Sequence, residues 1–348
     1  MVSINAYLRK SMKQLLFLLA LCFLLLSIPL SAHVSYVLDE QTLSQERGRD
    51  DLFFFSPLQD SSSVSLIIFT LVILAGLYAL LIHLKPWTKE IQKIRTNCLS
   101  YLDFIPWIAR LGLGIALIGA GVSQVLVTPV VTATSFIAAL EMLFGFLILA
   151  GFFLPYAILG SLALYIVGLT LDVYLLGNLD FFALGLVVFI LGSSKPGIDH
   201  LIGIPFSFYY PSLHRYVPLL ARIGVGGSLI FLALYEKFLN PSWFASVVEQ
   251  YGLYLAIPVS VSMWVFSAGA IELVVGLFLL LGFKTRLMSV VAFFVLSASF
   301  FYFHEAIFSH VTLFAILSLL FITGSGEHSI DHWLLQLKPT ILKKKKRR

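Results

Sequence analysis

Nine long apolar runs, separated by short polar connections, follow Ser63 along the chain. A helix needs about 20 mainly apolar residues to span a membrane. The pattern therefore predicts an all-α fold, a polytopic membrane bundle of about nine transmembrane helices. The runs lie near 64–84, 105–127, 133–152, 156–176, 180–193, 217–239, 258–282, 286–303 and 308–324.

The amino-terminal part of the chain, up to Ser63, has a different pattern. Basic residues up to Lys13 precede 16 apolar residues and the small residue Ala32, so residues 1–32 are predicted to be a signal peptide that is cut after Ala32. An uncleaved anchor helix is the alternative. Residues 33–63 are polar and acidic, and they predict a short extracytoplasmic segment. Its apolar stretch DLFFFSP is expected to touch the membrane surface or the helix bundle.

The composition excludes a soluble protein. The chain is 59% hydrophobic and only 12% charged, whereas about 25% of the residues in a soluble domain are charged. The net charge of +5 does not indicate nucleic-acid binding, because six of the 23 basic residues form the carboxyl-terminal KKKKRR. The two cysteines, Cys22 and Cys98, form no CxxC motif, which argues against a dithiol redox protein.

The basic residues predict the orientation in the membrane. With residues 33–63 outside, the basic clusters fall on the inner side, as the positive-inside rule requires. The chain is therefore predicted to lie in the plasma (inner) membrane with its mature amino terminus extracytoplasmic and residues 334–348 as a basic cytoplasmic tail. The tail is expected to bind anionic lipid, with a dilysine-type retrieval signal as the alternative. The clusters are Lys85, Lys89, Lys93 and Arg95; Lys195 and Arg215; Lys284 and Arg286; and the tail.

Two parts of the chain carry the same glycine and charged residues in the same order, which indicates an internal duplication. Each part has four apolar runs, so both parts have the same orientation in the membrane. The predicted repeats are residues 105–204 and 217–333, and residues 64–104 supply an extra transmembrane helix and a cytoplasmic linker. The matching residues are Arg110, Gly112 and Gly114 with Arg222, Gly224 and Gly226; Glu141, Gly145, Gly151 and Phe152 with Glu272, Gly276, Gly282 and Phe283; and Asp199 and His200 with Asp331 and His332.

These motifs resemble the DoxX/DoxD-like integral membrane proteins. The resemblance rests on the arginine and glycines of the first helix, the Glu-x3-Gly and Gly-Phe of the second, and the Gly-Ser and Asp near the end of the fourth. It covers about 105–200 and 217–333, so the chain looks like two fused DoxX-like four-helix repeats. For some members the family implies a membrane subunit of a quinone-linked oxidoreductase of the thiosulfate:quinone type. That activity implies a bound quinone and a soluble or membrane redox partner.

Two carboxylates interrupt equivalent apolar runs and are the candidate catalytic residues. Glu141 and Glu272 each precede a glycine by four residues, so each acid shares a helix face with its glycine. A charge at the centre of a bilayer costs roughly 2.5–3.5 kcal/mol on insertion scales, and both acids are therefore expected to face the bundle interior. Each is either a protonated group hydrogen-bonded across the bundle, or a proton relay or ligand of a quinone-like headgroup.

Six further charged residues are candidates for binding a ligand. Arg110 and Arg222 begin their helices, where arginine anchors a helix at the membrane face or, alternatively, pairs with Asp199 and Asp331.

Glu236 and Lys237 have only Gln124 and Val125 as counterparts in the first repeat. The second repeat is thus the more polar one and the better candidate for a ligand site.

The histidines are weaker candidates. His304, Glu305 and His310 lie in the connection HEAIFSH, and the first repeat has Asn178 where His310 falls. A metal site is one interpretation, but interfacial polar residues are the favoured one, and no metal site is predicted.

The residues alone leave open whether the chain is an enzyme. A non-enzymatic membrane scaffold or a small-molecule carrier is the alternative to an oxidoreductase subunit. Membrane lipids are expected partners, and no oligomeric state is predicted.

Overall fold

The computed structural model describes residues 34–38, 53–83, 93–94, 96–192, 197–203 and 210–336. The predicted signal peptide with Cys22, the basic residues Lys85, Lys89, Arg95 and Lys195, and the basic run at 343–348 lie outside the described residues.

Nine long helices occur in the described part of the chain, and each overlaps one of the predicted runs. The prediction of an all-α polytopic bundle is confirmed. Six helical stretches are long and apolar enough to cross a membrane, and the remaining long helices are shorter apolar ones. The nine helices are α2 Ser61–His83, α3 Ile105–Val122, α4 Ser135–Ala150, α5 Leu154–Leu171, α6 Leu179–Leu191, α8 Val217–Leu232, α11 Val261–Leu281, α12 Thr285–Phe303 and α13 Ile307–Thr323.

Short elements connect these helices. Four are short α-helices: α1 Val34–Val37, α7 Ile198–Leu201, α9 Pro241–Gln250 and α10 Leu253–Ala256. Four are 3-10 helices: Phe53–Leu58, Leu102–Phe104, Val173–Asn178 and Pro211–Tyr216. A π-helix, Ala233–Leu239, extends α8 without a break. Two antiparallel strands, β1 Val125–Leu126 and β2 Thr128–Thr132, form a small hairpin between α3 and α4.

The hairpin corrects one predicted boundary. The run at 105–127 was expected to be a single span, but its helix ends at Val122 and the chain turns into β1. The sequence VLVTPVVT is rich in valine and threonine, which favour strands, and its proline removes a backbone donor. The connection that follows the π-helix Ala233–Leu239 forms α9 and α10.

Two sets of four helices make up the bundle: the first set is α3 to α6, and the second set is α8 with α11 to α13. The first helix of each set packs on the second helix of its own set and on the fourth helix of the other set. Glycines allow both close approaches between the sets. An added Cβ at Gly112 would lie 2.4 Å from the Cβ of Ala315, and one at Gly224 would lie 2.4 Å from the Cβ of Ala183.

An apolar cluster closes the end of the bundle at which α8 runs into the π-helix. It joins α1, the 3-10 helix Phe53–Leu58, α9 and α11. Phe54 is 1% exposed and stacks on Phe238 with a centroid separation of 3.7 Å. The stretch DLFFFSP therefore contacts the bundle, which was one of the two placements expected for it.

Candidate functional site

The π-helix brings two adjacent charged side chains into the same buried space. In an α-helix, neighbouring residues do not face each other. Here Glu236 and Lys237 are both 0% exposed, and the Lys237 ammonium contacts the Glu236 carboxylate directly. The Lys237 Nζ atom also lies 3.0 Å from Oε2 of Glu272 on α11. Three of the predicted site residues thus form one group, which we call the Glu–Lys–Glu cluster (Glu236, Lys237 and Glu272).

Glu236 is held from two further sides. The hydroxyl of Tyr174 donates a hydrogen bond to its Oε1 atom. The backbone amide of Val34, in α1, donates to the same oxygen at 3.1 Å. The Phe244 ring lies 5.5 Å from the Lys237 ammonium, a distance at which a ring face attracts a cation. The helix α1 and the 3-10 helix Val173–Asn178 therefore both bind the Glu236 carboxylate, and α9 covers the Lys237 ammonium.

The charge balance of the cluster is uneven. Two carboxyl groups share one ammonium, so one carboxyl group either carries an unneutralised negative charge or holds a proton. An uncompensated buried charge is strongly destabilising, whereas a proton removes the charge. The arrangement therefore suits a group that takes up and gives back one proton.

Glu272 also lines a small, partly open cleft between α8, α11 and α12. Its volume is about 30 Å³, and a cavity of about 10–15 Å³ holds one water molecule. Glu272 supplies its charged lining, and the remaining walls are apolar. These walls are Leu229, Ala268, Ile271, Val275, Ala292, Val295 and Leu296.

A second buried polar pair joins the connection between α12 and α13 to the first turn of α13. Glu305 is 8% exposed and His310 is 0% exposed, and the His310 Nε2 atom lies 3.4 Å from Oε2 of Glu305. The Ser299 hydroxyl donates to Oε1 of Glu305 at 3.3 Å. Burial raises the pKa of Glu305 to about 7. His304 is exposed, whereas Glu305 and His310 are buried within the bundle.

Glu141, the counterpart of Glu272, has different surroundings. It is 0% exposed, and its Oε1 atom accepts a hydrogen bond of 3.1 Å from the amide of Val127. Val127 has a φ of 63°, which is strained for a β-branched residue. Among the described residues, no donor bonds Oε2 of Glu141. Glu141 thus fixes the hairpin, and the counterparts of Glu236 and Lys237 in its set are uncharged.

Arg110 and Asp199 both bind backbone groups near the turn between α4 and α5. Arg110 donates to the carbonyl oxygens of Ile148 and Leu149, both at 3.0 Å. Asp199 accepts from the amides of Phe153 and Leu154 at 3.1 and 3.5 Å. A direct ion pair between Arg110 and Asp199, the alternative that the sequence left open, is not among the ion pairs of the described residues. Both side chains instead bind the backbone on either side of one turn.

The second arginine and aspartate repeat this arrangement. Arg222 donates to the carbonyl oxygens of Leu280, at 3.5 Å, and His328. Asp331 accepts from the amides of Lys284 and Thr285 at 2.9 and 3.4 Å. Arg222 precedes Glu236 by a helical rise of about 21 Å. These four predicted ligand residues therefore hold helix ends and lie at the other end of the bundle from the cluster.

Two further residues with buried polar contacts, Tyr174 and Asp180, were not among the candidates from the sequence. Asp180 is 1% exposed and accepts a hydrogen bond from Ser228 on α8 at 3.2 Å. It is an acid inside an apolar run, so the criterion that found Glu141 would also have found it. Tyr174 carries no such signal, because its role depends on a contact across 62 residues of sequence.

The comparison with known proteins bears on the second set of helices. Residues 217–305 match the family model DoxX, a stretch that contains the Glu–Lys–Glu cluster and Glu305. The resemblance is confirmed there, and the fusion of two repeats stays a prediction. No curated protein and no solved structure matches the chain significantly.

Proposed function

From the premise that this chain is a DoxX-like membrane protein, we propose that it is the membrane subunit of a quinone-linked oxidoreductase of the thiosulfate:quinone type. The quinone headgroup binds beside Glu272, and the Glu–Lys–Glu cluster supplies its protons. The observation that carries the proposal is the buried cluster of two carboxyl groups and one ammonium on the wall of an apolar cleft.

The chemistry of a quinone fits this arrangement. A headgroup carbonyl oxygen accepts hydrogen bonds, which an ammonium or a protonated carboxyl group donates. The isoprenoid tail needs apolar walls, and the cleft beside Glu272 provides them. Reduction of a quinone takes up two electrons and two protons. The electrons come from a redox partner that oxidises a sulfur donor such as thiosulfate, and the protons come from the cluster.

The quinone headgroup needs more room than the cleft has. A volume of about 30 Å³ holds water but not a six-membered ring. Ile271 and Leu296 line the cleft from α11 and α12, and rotation of these two side chains would widen it. In this proposal the water-sized cleft is the form without quinone, and it widens when the headgroup binds.

The proposed orientation places the cluster toward the outside. If residues 33–63 are extracytoplasmic, Val34 approaches Glu236 from that side, and the Arg110 and Arg222 ends of the bundle face the cytoplasm. A partner that oxidises the sulfur donor then works at the outer face of the plasma membrane.

Paired substitutions in the two sets test the proposal. Glu272→Gln removes an ionisable group beside the cleft, and we expect it to lower the rate of quinone reduction on the order of 100-fold. Glu141→Gln is the matched control, because an amide oxygen still accepts the hydrogen bond from Val127 and the rate should stay near wild type. The assay uses protein purified in mild detergent with its co-purifying partner, and decylubiquinone as acceptor.

The lipid extract of the same preparation provides a second measurement. Bound quinone, identified by mass spectrometry and lost in Glu272→Gln but not in Glu141→Gln, supports the proposal. A wild-type rate in Glu272→Gln, or equal losses in both variants, contradicts it. Lipid alone, without quinone or partner over repeated preparations, favours the scaffold or carrier.

A further inference from the structure

We propose that a groove between α12 and α13 binds one anionic phospholipid, with an acyl chain along the groove and the phosphate at Lys284 and Arg286. The groove has a volume of about 250 Å³, whereas the cleft beside Glu272 has about 30 Å³. The two spaces are lined by different residues of α12, so the inference goes beyond the proposed function and does not depend on it.

The groove is open toward the lipid. Phe293 and Phe294 form its outer edge, and their side chains are 39% and 47% exposed. Leu317 and Ile322 form its floor, and they are 1% and 9% exposed. Since the outer surface of a membrane-spanning bundle faces the hydrocarbon of the bilayer, an occupant enters this groove from the membrane and not from water.

The walls of the groove suit a hydrocarbon chain. Its two serines are bonded within their own helices: Ser289 donates to the carbonyl oxygen of Thr285 at 2.9 Å, and Ser318 donates to that of Phe314 at 2.7 Å. The other lining side chains are apolar. A polar ligand would lose its hydrogen bonds with water here, whereas an acyl chain gains apolar contact.

Two basic residues lie at one end of the groove. The Nε and Nη2 atoms of Arg286 donate to the carbonyl oxygens of Phe321 and Ile322, two lining residues, at 2.9 and 3.0 Å. These carbonyl oxygens leave the charge of the guanidinium in place. Lys284, directly before α12, is exposed, and the carboxylate of Asp331 beside it binds two backbone amides. A basic pocket between membrane helices is typical of a site for an anionic headgroup.

The first set of helices lacks each part of this site. The hydrogen bonds of Asp199 and Asp331 align α5 with α12, and the glycines that end α6 and α13 align the fourth helices. The first set then has uncharged residues at the two basic positions and larger side chains at the two serine positions. The counterparts of Lys284, Arg286, Ser289 and Ser318 are Phe153, Pro155, Ile158 and Leu186. The groove and its charges thus occur together, as expected if one ligand uses both.

Native mass spectrometry of the full chain, delipidated in a neutral detergent, tests the charged end. Dioleoylphosphatidylglycerol and dioleoylphosphatidylcholine are the probes. One basic residue near a headgroup favours an anionic lipid about fivefold, so the wild type should prefer phosphatidylglycerol on the order of 20-fold. Lys284→Gln and Arg286→Gln should each lower this preference about fivefold. Arg215→Gln is the matched control, because it removes an exposed charge from the 3-10 helix before α8 and should leave the preference unchanged.

A second pair of variants tests the groove itself. Ser318→Leu fills it with the side chain that the first set carries at this position, and the affinity for both lipids should fall at least about tenfold. Ser297→Leu is the matched control. Ser297 donates to the carbonyl oxygen of Phe293 at 2.7 Å in the same way but does not line the groove, so this variant should bind like wild type.

Four results would overturn the lipid site. Wild-type binding by Ser318→Leu would show that no chain lies in the groove, and equal losses in a variant and its matched control would show unspecific lipid contact. Displacement of phosphatidylglycerol by decylubiquinone would assign the groove to quinone, and a dimer that phosphatidylglycerol dissociates would assign it to a second copy of the chain. None of these measurements uses quinone reduction, so the lipid site and the proposed function can fail separately.

Discussion

Four buried carboxyl groups of this chain show that the role of a buried acid depends on the groups that contact it. Glu141 holds a hairpin amide, Asp180 binds a serine of the other set, Glu272 shares an ammonium, and Glu305 lies beside a histidine. The sequence predicts that Glu141 and Glu272 are buried, because a charge in an apolar run is expensive. It does not predict their partners, which come from connections of different length and from residues far along the chain.

Stability as a function of pH tests the burial of Glu305. In the unfolded chain its carboxyl group ionises near 4.5, whereas burial raises its pKa in the folded chain to about 7. A raised pKa of an acid means that its contribution to the free energy of unfolding is fully present below pH 4.5 and is lost as the pH rises to 7. Glu305→Gln mimics the protonated form, so this loss should disappear in the variant.

We therefore expect Glu305→Gln and wild type to have similar stability at pH 5, and the variant to be more stable by about 1–3 kcal/mol at pH 8. Thermal unfolding in detergent at several pH values measures the difference. If the difference in the free energy of unfolding between Glu305→Gln and wild type did not change with pH, burial would not raise the pKa of Glu305.

Among the elements, the helix crossings are the most predictable and the π-helix is the least. The glycines at equivalent positions predict close crossings, and the structure shows them: an added Cβ at Gly226 would lie 2.9 Å from the carbonyl oxygen of Gly276. The π-helix has no such signal, since ALYEKFL is an ordinary helical sequence. Its two charged residues contact Tyr174 and Glu272, partners that only the assembled bundle brings close to them.

Two neighbouring glycines on α8 test the crossing. A Cβ at Gly226 would meet the backbone of α11, with the amide nitrogen of Leu280 at 2.8 Å. A Cβ at Gly227 would meet only the end of the Leu179 side chain, at 3.1 Å. We expect Gly226→Ala to lower the free energy of unfolding by about 1–3 kcal/mol, because two helices must separate.

Gly227→Ala is the matched control for this crossing. Its effect should lie within about 1 kcal/mol of zero, because alanine favours a helix over glycine and offsets a small side-chain shift. Thermal unfolding of both variants in detergent measures the two effects. Equal effects of the two substitutions would show that the crossing between α8 and α11 does not depend on backbone contact.

In the whole molecule, neither set of four helices has a complete core of its own. The first helix of each set packs on the fourth helix of the other, and one apolar cluster runs through both sets. Sequence motifs predict four helices in each set and their order, but not this exchange, because the motifs describe contacts inside a set. If the sets arose by duplication, the exchanged contacts correspond to a dimer interface that fusion has made internal.

Expression of the chain as two fragments tests this shared core. A cut between residues 206 and 207 falls in the connection between the two sets and divides no described element. We expect fragments 1–206 and 207–348 to copurify when they are expressed together, because α3 needs α13 and α8 needs α6. Each fragment alone leaves the apolar faces of its first and fourth helices uncovered, and should aggregate or form a homodimer. Size-exclusion chromatography in mild detergent distinguishes these states, and a stable monomer of either fragment would contradict a core that both sets must share.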